Sequence, residues 1–384
     1  MFLNKLRQDN PEFVSAVVRL HQEGLLLPDT YAVDLEQFKA NAAAIKATAD
    51  EKGIRLYFML KQLGRNPALA RILTDLGYAG AVVVDFKEAQ VMMRHHIPIG
   101  NVGHLVQVPE SMVEQLVAYG PEVFTVYTAD KVRSISRAAE KLGKTQNLLL
   151  RVYDDRDMIY SGQTAGISLK DLPEFLWQIR ALPGIRVAGV TSFPCFLYNE
   201  EKKDIAPTPN LNTVLKAKQI LLDNGITPTM INTPSATCVR TLSLMAERGC
   251  NCGEPGHGLT GTTPAHVVHD LPEKSCIAYV SEVSHNFGAL GYCYGGGFYR
   301  RGHVENALVG TAPDHLRSVK VIPPSSESID YHFGLNQECQ VGETVVMAFR
   351  FQIFVTRSDV ALIDGVSAGA PRIVGVYDSL GCKK

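Results

Sequence analysis

The sequence lacks the excess of basic residues that nucleic-acid-binding proteins carry. It contains 38 lysines and arginines against 39 aspartates and glutamates, which gives a formal net charge of −1. Affinity for a phosphate backbone comes mainly from clustered positive charge. We therefore expect no nucleic-acid partner.

Long apolar runs and a cysteine framework are also missing. No window holds the roughly 20 apolar residues of a membrane-spanning helix, and the start, MFLNKLRQDNPEF, has no apolar core typical of a secretory signal. The eight cysteines are scattered through 384 residues, which is typical of reduced thiols in a cytosol. We expect a cytoplasmic protein with no membrane partner, long enough for two domains.

What the chain has instead is a repeated alternation of short apolar runs and amphipathic segments between Tyr31 and about His266. This alternation predicts parallel strands joined by crossover helices, several of which end in glycine. There are eight apolar runs, and eight strands close a (β/α)8 TIM barrel, although a doubly wound open sheet would alternate in the same way. The runs are RLYFML, AGAVVVDF, NVGHLVQ, VFTVYT, NLLLRVY, RVAGVTSF, PTMINT and a weaker CNCGEPGHG.

The pattern changes after about Asp270. Segments such as SCIAYVSEVSHNF and RIVGVYDS are rich in β-branched residues, are separated by glycine, proline and asparagine, and have no long helical pattern between them. We therefore predict an α/β fold in which a (β/α)8 barrel, with a short helical lead, occupies residues 1–268. A C-terminal all-β domain follows over residues 269–384.

A single lysine, Lys61, follows the apolar run IRLYFML. Active-site residues of a barrel come from the carboxyl ends of its strands. Desolvation favours the neutral amine, which makes a lysine in this position a candidate nucleophile for Schiff-base chemistry. A lysine whose stem packs while its ammonium reaches solvent would fit the same pattern.

Two loops with anion-binding features follow the seventh and eighth runs, where barrels often bind phosphate. INTPSATC offers the hydroxyls of Thr233, Ser235 and Thr237 at the start of a helix, and GEPGHGLTG is a glycine-dense turn whose amides can approach a phosphate. Helix capping would use the same hydroxyls. Both features in one chain favour a phosphate site, and a lysine nucleophile facing a phosphate indicates pyridoxal 5'-phosphate (PLP).

At these segments the sequence resembles the fold-type III PLP enzymes, the family of alanine racemase and the basic-amino-acid decarboxylases. YFMLKQLGRNP, NTPSAT and GEPGHGLTG are similar to the family's lysine segment and phosphate loops, and GHLVQ to the third strand of the small PLP-carrier barrels. LGYCYGG resembles the segment of the racemases' second catalytic base, which implies Tyr292, with Cys293 as the alternative. The resemblance also implies a homodimer, and it implies these cofactor-binding residues: Lys61, His104, Thr233, Ser235, Thr237, Glu254, Gly256 and His257.

One position separates the racemase from the decarboxylases. Alanine racemase has an arginine against the pyridine nitrogen, whereas this chain has Glu254 in EPGH and so follows the Glu-Pro-Gly of the decarboxylases. A carboxylate pairs with a protonated pyridine and lets the ring accept the electrons released at Cα. An ion pair with Arg248 is the alternative role for Glu254.

Several features of the family have no match. The sixth run lacks histidine, no cysteine precedes an Asp-Gly pair, and VVMAFRFQIFVTRSD lacks the histidine of the metal-dependent aldolases. The cysteines of CNC, near His257, are too closely spaced for a usual zinc site, so we expect no metal.

These observations predict a PLP enzyme acting at the Cα of an amino acid, with racemisation as the leading reaction. A decarboxylase and a non-catalytic PLP carrier are the alternatives. The carriers of this family are short and stop at the barrel, whereas this chain has over a hundred residues in a second domain. The substrate itself is not indicated. Side chains that could bind its carboxylate or a phosphate are Arg151, Arg156, Arg300, Arg301 and His303.

Overall fold

A computed structural model describes residues 1–384. No helix in it is long and apolar enough to cross a membrane. The helices are α1 (Phe2–Asp9), α2 (Pro11–Gln22), α3 (Leu35–Glu51), α4 (Pro67–Asp75), α5 (Phe86–Arg94), α6 (Glu110–Tyr119), α7 (Ala129–Lys141), α8 (Leu172–Ile179), α9 (Pro209–Asp223), α10 (Val239–Glu247) and α11 (Pro264–Val268). Short 3₁₀ helices lie at Lys61–Leu63, His257–Thr260, Pro313–His315 and Ile353–Val355.

The chain divides into two compact units. The first contains residues 44–60 and 67–258, and the second contains residues 1–43, 61–66 and 259–384. The strands are β1 (Thr30–Asp34), β2 (Arg55–Leu56), β3 (Ala81–Val83), β4 (Ile99–Val102), β5 (Val123–Val126), β6 (Gln146–Tyr153), β7 (Ile167–Ser168), β8 (Ile185–Thr191), β9 (Phe196–Asn199), β10 (Asp204–Pro207), β11 (Met230–Asn232), β12 (Cys252–Gly253), β13 (Ile277–Phe287), β14 (Leu290–Tyr294), β15 (Asn306–Gly310), β16 (Arg317–Ile322), β17 (His332–Leu335), β18 (Thr344–Met347), β19 (Asp359–Asp364) and β20 (Arg372–Tyr377).

The first unit is a parallel barrel. Its strands lie in the order β2, β12, β11, β8, β6, β5, β4, β3. A parallel bridge between Phe58 and Ala81 closes the ring, with hydrogen bonds from the Phe58 N–H to the Gly80 carbonyl (3.0 Å) and from the Val82 N–H to the Phe58 carbonyl (2.8 Å). The eight predicted apolar runs supply these eight strands, so the (β/α)8 prediction is confirmed.

The eighth strand has few of the residues typical of strands because its neighbours leave little room for side chains. β12 contains only Cys252 and Gly253. A Cβ on Gly253 would lie 3.0 Å from the Thr237 Cγ2 and 3.1 Å from the Met245 methyl. Side chains from the loop before α10 and from α10 itself fill the space that a β-branched residue would need. The strand therefore carries little of the usual β signal.

The second unit is built on a nine-stranded sheet in the order β14, β17, β16, β15, β18, β13, β1, β19, β20. The predicted C-terminal β structure is thus confirmed, but its sheet also contains β1, which lies antiparallel to β13 and parallel to β19. Helices α1 and α2 cover one face of this sheet through buried apolar side chains, among them Leu6, Phe13, Val17, Val346 and Ile363.

Candidate active site

A row of inward-facing polar side chains crosses three neighbouring barrel strands. Thr191 at the end of β8 is paired in register with Arg151 on β6 and with Asn232 on β11. Side chains at paired positions point to the same face of a sheet. Asn232 Nδ2 donates to Thr191 Oγ1 at 3.1 Å, and both side chains are fully buried. The row therefore faces the barrel interior at the carboxyl ends of the strands.

Glu254 follows β12 and joins this row. The residue is 6% exposed, and its carboxylate oxygen Oε1 accepts hydrogen bonds from Asn101 Nδ2 (3.1 Å) and Asn232 Nδ2 (2.8 Å). Asn101 is fixed in turn because Thr125 Oγ1 donates to its Oδ1 at 2.6 Å. Two amides held by buried hydroxyls thus fix one carboxylate oxygen. None of these contacts involves Arg248, the alternative partner considered for Glu254.

The loop between β11 and α10 presents three consecutive backbone N–H groups to an anion. The N–H groups of Ser235, Ala236 and Thr237 donate to no protein acceptor. Ala236 has φ +52°, a left-handed conformation that turns successive N–H groups to one side. Helix α10 follows, and its N-terminal residue Cys238 makes no side-chain cap. The positive end of a helix and unsatisfied amides together suit a phosphate.

The two predicted phosphate loops pack directly on each other. The Glu254 N–H donates to Thr237 Oγ1 at 3.3 Å, and a Cβ on Gly258 would lie 2.3 Å from the Thr237 carbonyl oxygen. The Ser235 hydroxyl donates to the Phe196 carbonyl at 2.7 Å. Only glycine at 258 allows this approach. The hydroxyls of Ser235 and Thr237 hold the loop in shape. Because Thr237 Oγ1 accepts in its contact, its O–H and the three backbone N–H groups are the donors that remain for a phosphate.

The other predicted phosphate-site residues take different positions. Gly256 is buried in the turn after Glu254, and His257 begins the 3₁₀ helix that follows. Thr233 lies beside the Cys250 thiol, whose pKa is raised by burial. Thr233 is fully buried at the end of β11, two residues before the three free N–H groups. Its hydroxyl makes no hydrogen bond to the protein, whereas those of Ser235 and Thr237 do.

Lys61 comes directly after the chain segment that runs beside β12. The N–H groups of Tyr57 and Met59 donate to the carbonyls of Gly253 (3.0 Å) and Pro255 (2.9 Å). Leu60 ends this buried segment, and Lys61 opens the 3₁₀ helix Lys61–Leu63. Chain continuity therefore puts the lysine just beyond the carboxyl end of the first barrel strand, as the sequence predicts.

His104 lies in the same barrel unit. It follows β4, is 1% exposed, and its ring meets the Phe193 ring edge to face at 6.0 Å. Its backbone carbonyl accepts a hydrogen bond from Arg151. His104 thus contributes an aromatic wall and a carbonyl acceptor to the barrel mouth.

Tyr292 and Cys293 lie on opposite faces of β14 in the other unit. Tyr292 is half-buried and stacks on His285, with ring centroids 5.0 Å apart and an angle of 7° between the ring planes. Cys293 is fully buried, and burial raises the pKa of its thiol to about 12. A thiol with so high a pKa is a poor base at neutral pH, so Tyr292 is the better suited of the two.

The structure adds four site residues that the sequence did not single out: Thr125, Thr191, Asn101 and Asn232. The available signal was a polar residue near the carboxyl end of an otherwise apolar strand, as in MIN at β11. Among the five candidates for anion recognition, Arg151 alone is buried on the barrel wall. Arg156, Arg300, Arg301 and His303 are exposed.

Comparison with known proteins agrees with this architecture. Residues 33–264 match the alanine racemase N-terminal domain family, and residues 278–373 match the YhfX-like C-terminal domain family. The uncharacterized protein YhfX of Escherichia coli strain K12 is 47% identical over 382 residues, which cover 99% of each chain.

Solved structures with the same fold are distant in sequence. D-threonine aldolase from Filomicrobium marinum has a TM-score of 0.67 at 15% identity and covers 92% of this chain and 94% of its own. Alanine racemase of Clostridium difficile 630 with cycloserine has a TM-score of 0.64 at 15% identity, and the match covers 91% of this chain and 98% of its own. D-threo-3-hydroxyaspartate dehydratase from Delftia sp. HT23 has a TM-score of 0.65 at 15% sequence identity, and the match covers 90% of this chain and 96% of its own.

The family match spans more than half of the chain, and the barrel and β domain both have counterparts in these structures. The protein therefore belongs to the alanine racemase-like, fold-type III family of PLP enzymes and carries a YhfX-like C-terminal domain.

Proposed function

We propose that this protein binds PLP and acts at the Cα of an amino acid, with racemisation as the leading reaction. The observation that carries the proposal is the position of Glu254. Its buried carboxylate accepts from two amides, and its backbone N–H donates to the loop that has three free N–H groups. PLP presents a phosphate and a ring nitrogen that can be protonated. The N–H groups of the loop suit the phosphate, and the Glu254 carboxylate suits the protonated ring nitrogen.

The chemistry divides between the cofactor and the chain. When bound, PLP supplies an electron-accepting ring that stabilises the charge left at Cα when a bond to Cα breaks. Lys61 would hold the cofactor covalently and move a proton at one face of Cα. Glu254 would hold a proton at the ring nitrogen, and the Ser235–Thr237 loop and the amides of Gly256 and His257 would fix the phosphate. His104 would line the cofactor site.

The other face of Cα needs a second proton carrier. Tyr292 is the residue we propose, contributed by a second copy of the chain, because the segment LGYCYGG resembles the family's second-base segment. Stacking on His285 fixes the orientation of its ring. A homodimer is therefore part of the proposal.

The names of the structural relatives support an amino acid as the substrate class. Threonine, alanine and hydroxyaspartate are all amino acids, and the reactions named are an aldol cleavage, a racemisation and a dehydration. A decarboxylase remains the second candidate because Glu254 stands in a Glu-Pro-Gly segment as it does in that branch. Loss of optical activity without CO2 release separates racemisation from decarboxylation.

Borohydride trapping tests the cofactor site. Purified protein incubated with PLP should absorb visible light and lose that absorbance on reduction, and peptide mapping should find the pyridoxyl group on Lys61. Lys61→Arg should take up no reducible adduct, whereas Lys46→Arg, at an exposed ion pair with Asp50, should behave as wild type. An adduct on another lysine, or no PLP uptake, would overturn the proposed site.

A further inference from the structure

Three consecutive glycines, Gly295 to Gly297, follow β14 and have no part in the proposed function. All three are buried, and a Cβ on Gly296 would overlap the carboxylate oxygen Oδ2 of Asp29. A Cβ on either neighbouring glycine would overlap the Asp330 carbonyl oxygen or the Tyr279 ring. Gly296 also has φ +129°, which glycine adopts at the least cost. The glycines therefore let the backbone of this loop lie directly on a carboxylate.

A second carboxylate, that of Asp330, also holds the glycine loop. Its Oδ2 accepts from the backbone N–H groups of Gly296 (3.1 Å) and Phe298 (2.9 Å). Arg357 Nη1 donates to Asp330 Oδ1 at 3.1 Å, and the Arg357 N–H donates to the Gly296 carbonyl at 3.2 Å. Asp330 therefore has a cation and two amide donors as partners, and the loop is fastened to all of them.

Asp29, by contrast, is partly buried and makes no ion pair. The hydroxyls of Ser358 and Tyr279 donate to its Oδ1, the second at 2.9 Å. The titratable and charged groups that face it are Tyr31 on β1, Tyr279 on β13, Asp330 before β17 and Arg357 before β19. Burial raises the pKa of Asp29 to about 6, and Asp330 adds to this increase, whereas the two hydrogen bonds and Arg357 oppose it. The closed loop thus holds the Asp29 proton more tightly than an exposed aspartate would.

We propose that Asp29 is a pH-sensitive latch for the Gly295–Gly297 loop, which closes over the neutral carboxyl group and loosens over the carboxylate. The Gly296 backbone lies on Oδ2 and so keeps water from it. A carboxylate with neither water nor a counter-ion is unfavourable, and the charge of Asp330 adds repulsion. When Asp29 releases its proton to solvent, movement of the loop away from Oδ2 lets water hydrate the charge. No covalent bond other than this O–H changes.

The movement should be local to the loop. Its two ends are held by hydrogen bonds that do not involve Asp29: Ser281 Oγ donates to the Tyr294 carbonyl and the Tyr31 hydroxyl to the Gly297 carbonyl, both at 2.7 Å. The latch needs neither PLP nor a substrate, so the inference does not depend on the proposed function.

Amide hydrogen exchange read by mass spectrometry tests the latch. The full-length protein is labelled at pH 5 and pH 7.5, and the rates are corrected for the intrinsic pH dependence of amide exchange. If the pKa of Asp29 is 3.8 in the open loop and about 6 in the closed loop, opening should become about tenfold more favourable between these pH values. Protection of a peptide that covers residues 294–299 should fall by that factor. It should also be lower than the protection of β18, in the same sheet, at both pH values.

Three variants sharpen the experiment. Asp29→Asn is neutral at every pH, so its loop should show at both pH values the protection that wild type shows at pH 5. Asp364→Asn is the matched control, because Asp364 forms an ion pair with Arg372 on the same sheet and should leave the tenfold change intact. Gly296→Ala places a Cβ against Asp29 and should lower protection of the loop at both pH values. Thermal unfolding at pH 5 checks that each variant is folded.

Three results would overturn the latch. The first is equal corrected protection of the wild-type loop at pH 5 and pH 7.5. The second is a pH-dependent change that persists in Asp29→Asn, which would assign it to another group. The third is loop protection equal to that of β18, which would mean that the loop opens only when the whole sheet unfolds. Absence of PLP binding would overturn the proposed function and leave this inference standing.

Discussion

Glu254 is the residue whose chemistry depends most on its neighbours. Both amide donors, from Asn101 and Asn232, reach the same oxygen, Oε1. A side-chain amide nitrogen only donates, so this oxygen is fixed as an acceptor. Thr125 and Thr191 anchor the two amides from strands on either side. The carboxylate is thereby preorganised, which is how a charged group contributes most to a reaction at a buried site.

Glu254→Gln tests this role with little change of shape. Its amide oxygen can still accept from both asparagines, so PLP should bind as in wild type. Exchange of the Cα proton should fall about a hundredfold, equivalent to about 3 kcal/mol at the barrier, because the lost charge matters most once electrons have moved into the ring. Glu122→Gln, at an ion pair with Arg55, is the matched control. Unchanged exchange in Glu254→Gln would make Glu254 a structural carboxylate.

The raised pKa of Asp29 predicts how the stability of the protein depends on pH. Burial and the nearby Asp330 raise its pKa to about 6, against hydrogen bonds from Ser358 and Tyr279 that lower it. Since the unfolded pKa is 3.8, the folded state holds the proton more tightly between about pH 4 and 6. Stability from this group is therefore present below that window, is lost as the pH rises through it, and stays lost above pH 6.

Asp29→Asn should raise the free energy of unfolding by up to about 3 kcal/mol above pH 6. Asparagine keeps the acceptor oxygen and tolerates the left-handed φ of +62° at this position. Urea unfolding at pH 4 and pH 7.5 measures the effect, which should nearly vanish at the lower pH. Destabilisation at pH 7.5 would contradict the raised pKa, and equal destabilisation at both pH values would show that the loss comes from hydrogen-bond geometry and not from charge.

Among the elements, the loop before α10 is the part of the proposed site that would bind the phosphate. Ser235→Ala with Thr237→Ala removes the contacts to the Phe196 carbonyl and the Glu254 N–H that hold the three free N–H groups in place. PLP should bind at least about tenfold more weakly, and pyridoxal, which lacks the phosphate, should be nearly unaffected. Ser134→Ala, which removes the hydroxyl on α7 that accepts from Arg137, is the control. Equal losses for both ligands would make the loop a helix cap only.

The elements also show what a sequence can and cannot reveal. Seven of the eight barrel strands were predictable from short apolar runs alternating with helical segments. The eighth, β12, followed only from the count that closes a barrel, whereas the loops after the last two strands carry visible glycine and hydroxyl signals. The Asn101–Glu254–Asn232 contact was not predictable. It joins Asn101 on β4 to Glu254, 153 residues later, and each asparagine alone resembles any polar residue at a strand end. Register across strands, which decides that these side chains meet, leaves no local pattern.

At the scale of the whole molecule, the N-terminal residues belong to the β unit. β1 lies between β13 and β19, so the C-terminal sheet is interrupted without it. The sequence pattern around Tyr31 is continuous with the barrel that follows, and strand pairing over more than 240 residues, as between Tyr31 and Tyr279, has no local signal. A boundary near residue 269 marks where the sequence pattern changes. In the packed structure, residues 1–43 belong to the same unit as residues 259–384.

A fragment experiment tests this arrangement. Residues 259–384 alone lack β1, which joins β13 to β19 inside the sheet, and the α1–α2 face, so they should show no cooperative thermal unfolding. Joining residues 1–43 to this fragment through a flexible linker should restore a cooperative transition. Val33→Asp in the joined fragment, which buries a charge in β1, should abolish it again. Cooperative unfolding of 259–384 by itself would contradict the role of β1.

Solvent deuterium exchange at Cα is the most direct test of the account as a whole. PLP-loaded protein is incubated in D2O with a panel of single-enantiomer amino acids, and mass spectrometry and chiral chromatography follow the label and the configuration. We expect exchange at Cα for at least one amino acid, with accumulation of the opposite enantiomer and no CO2 release. Lys61→Arg should lose both the exchange and the change of configuration. PLP-loaded protein that exchanges no Cα proton with any amino acid would contradict this account.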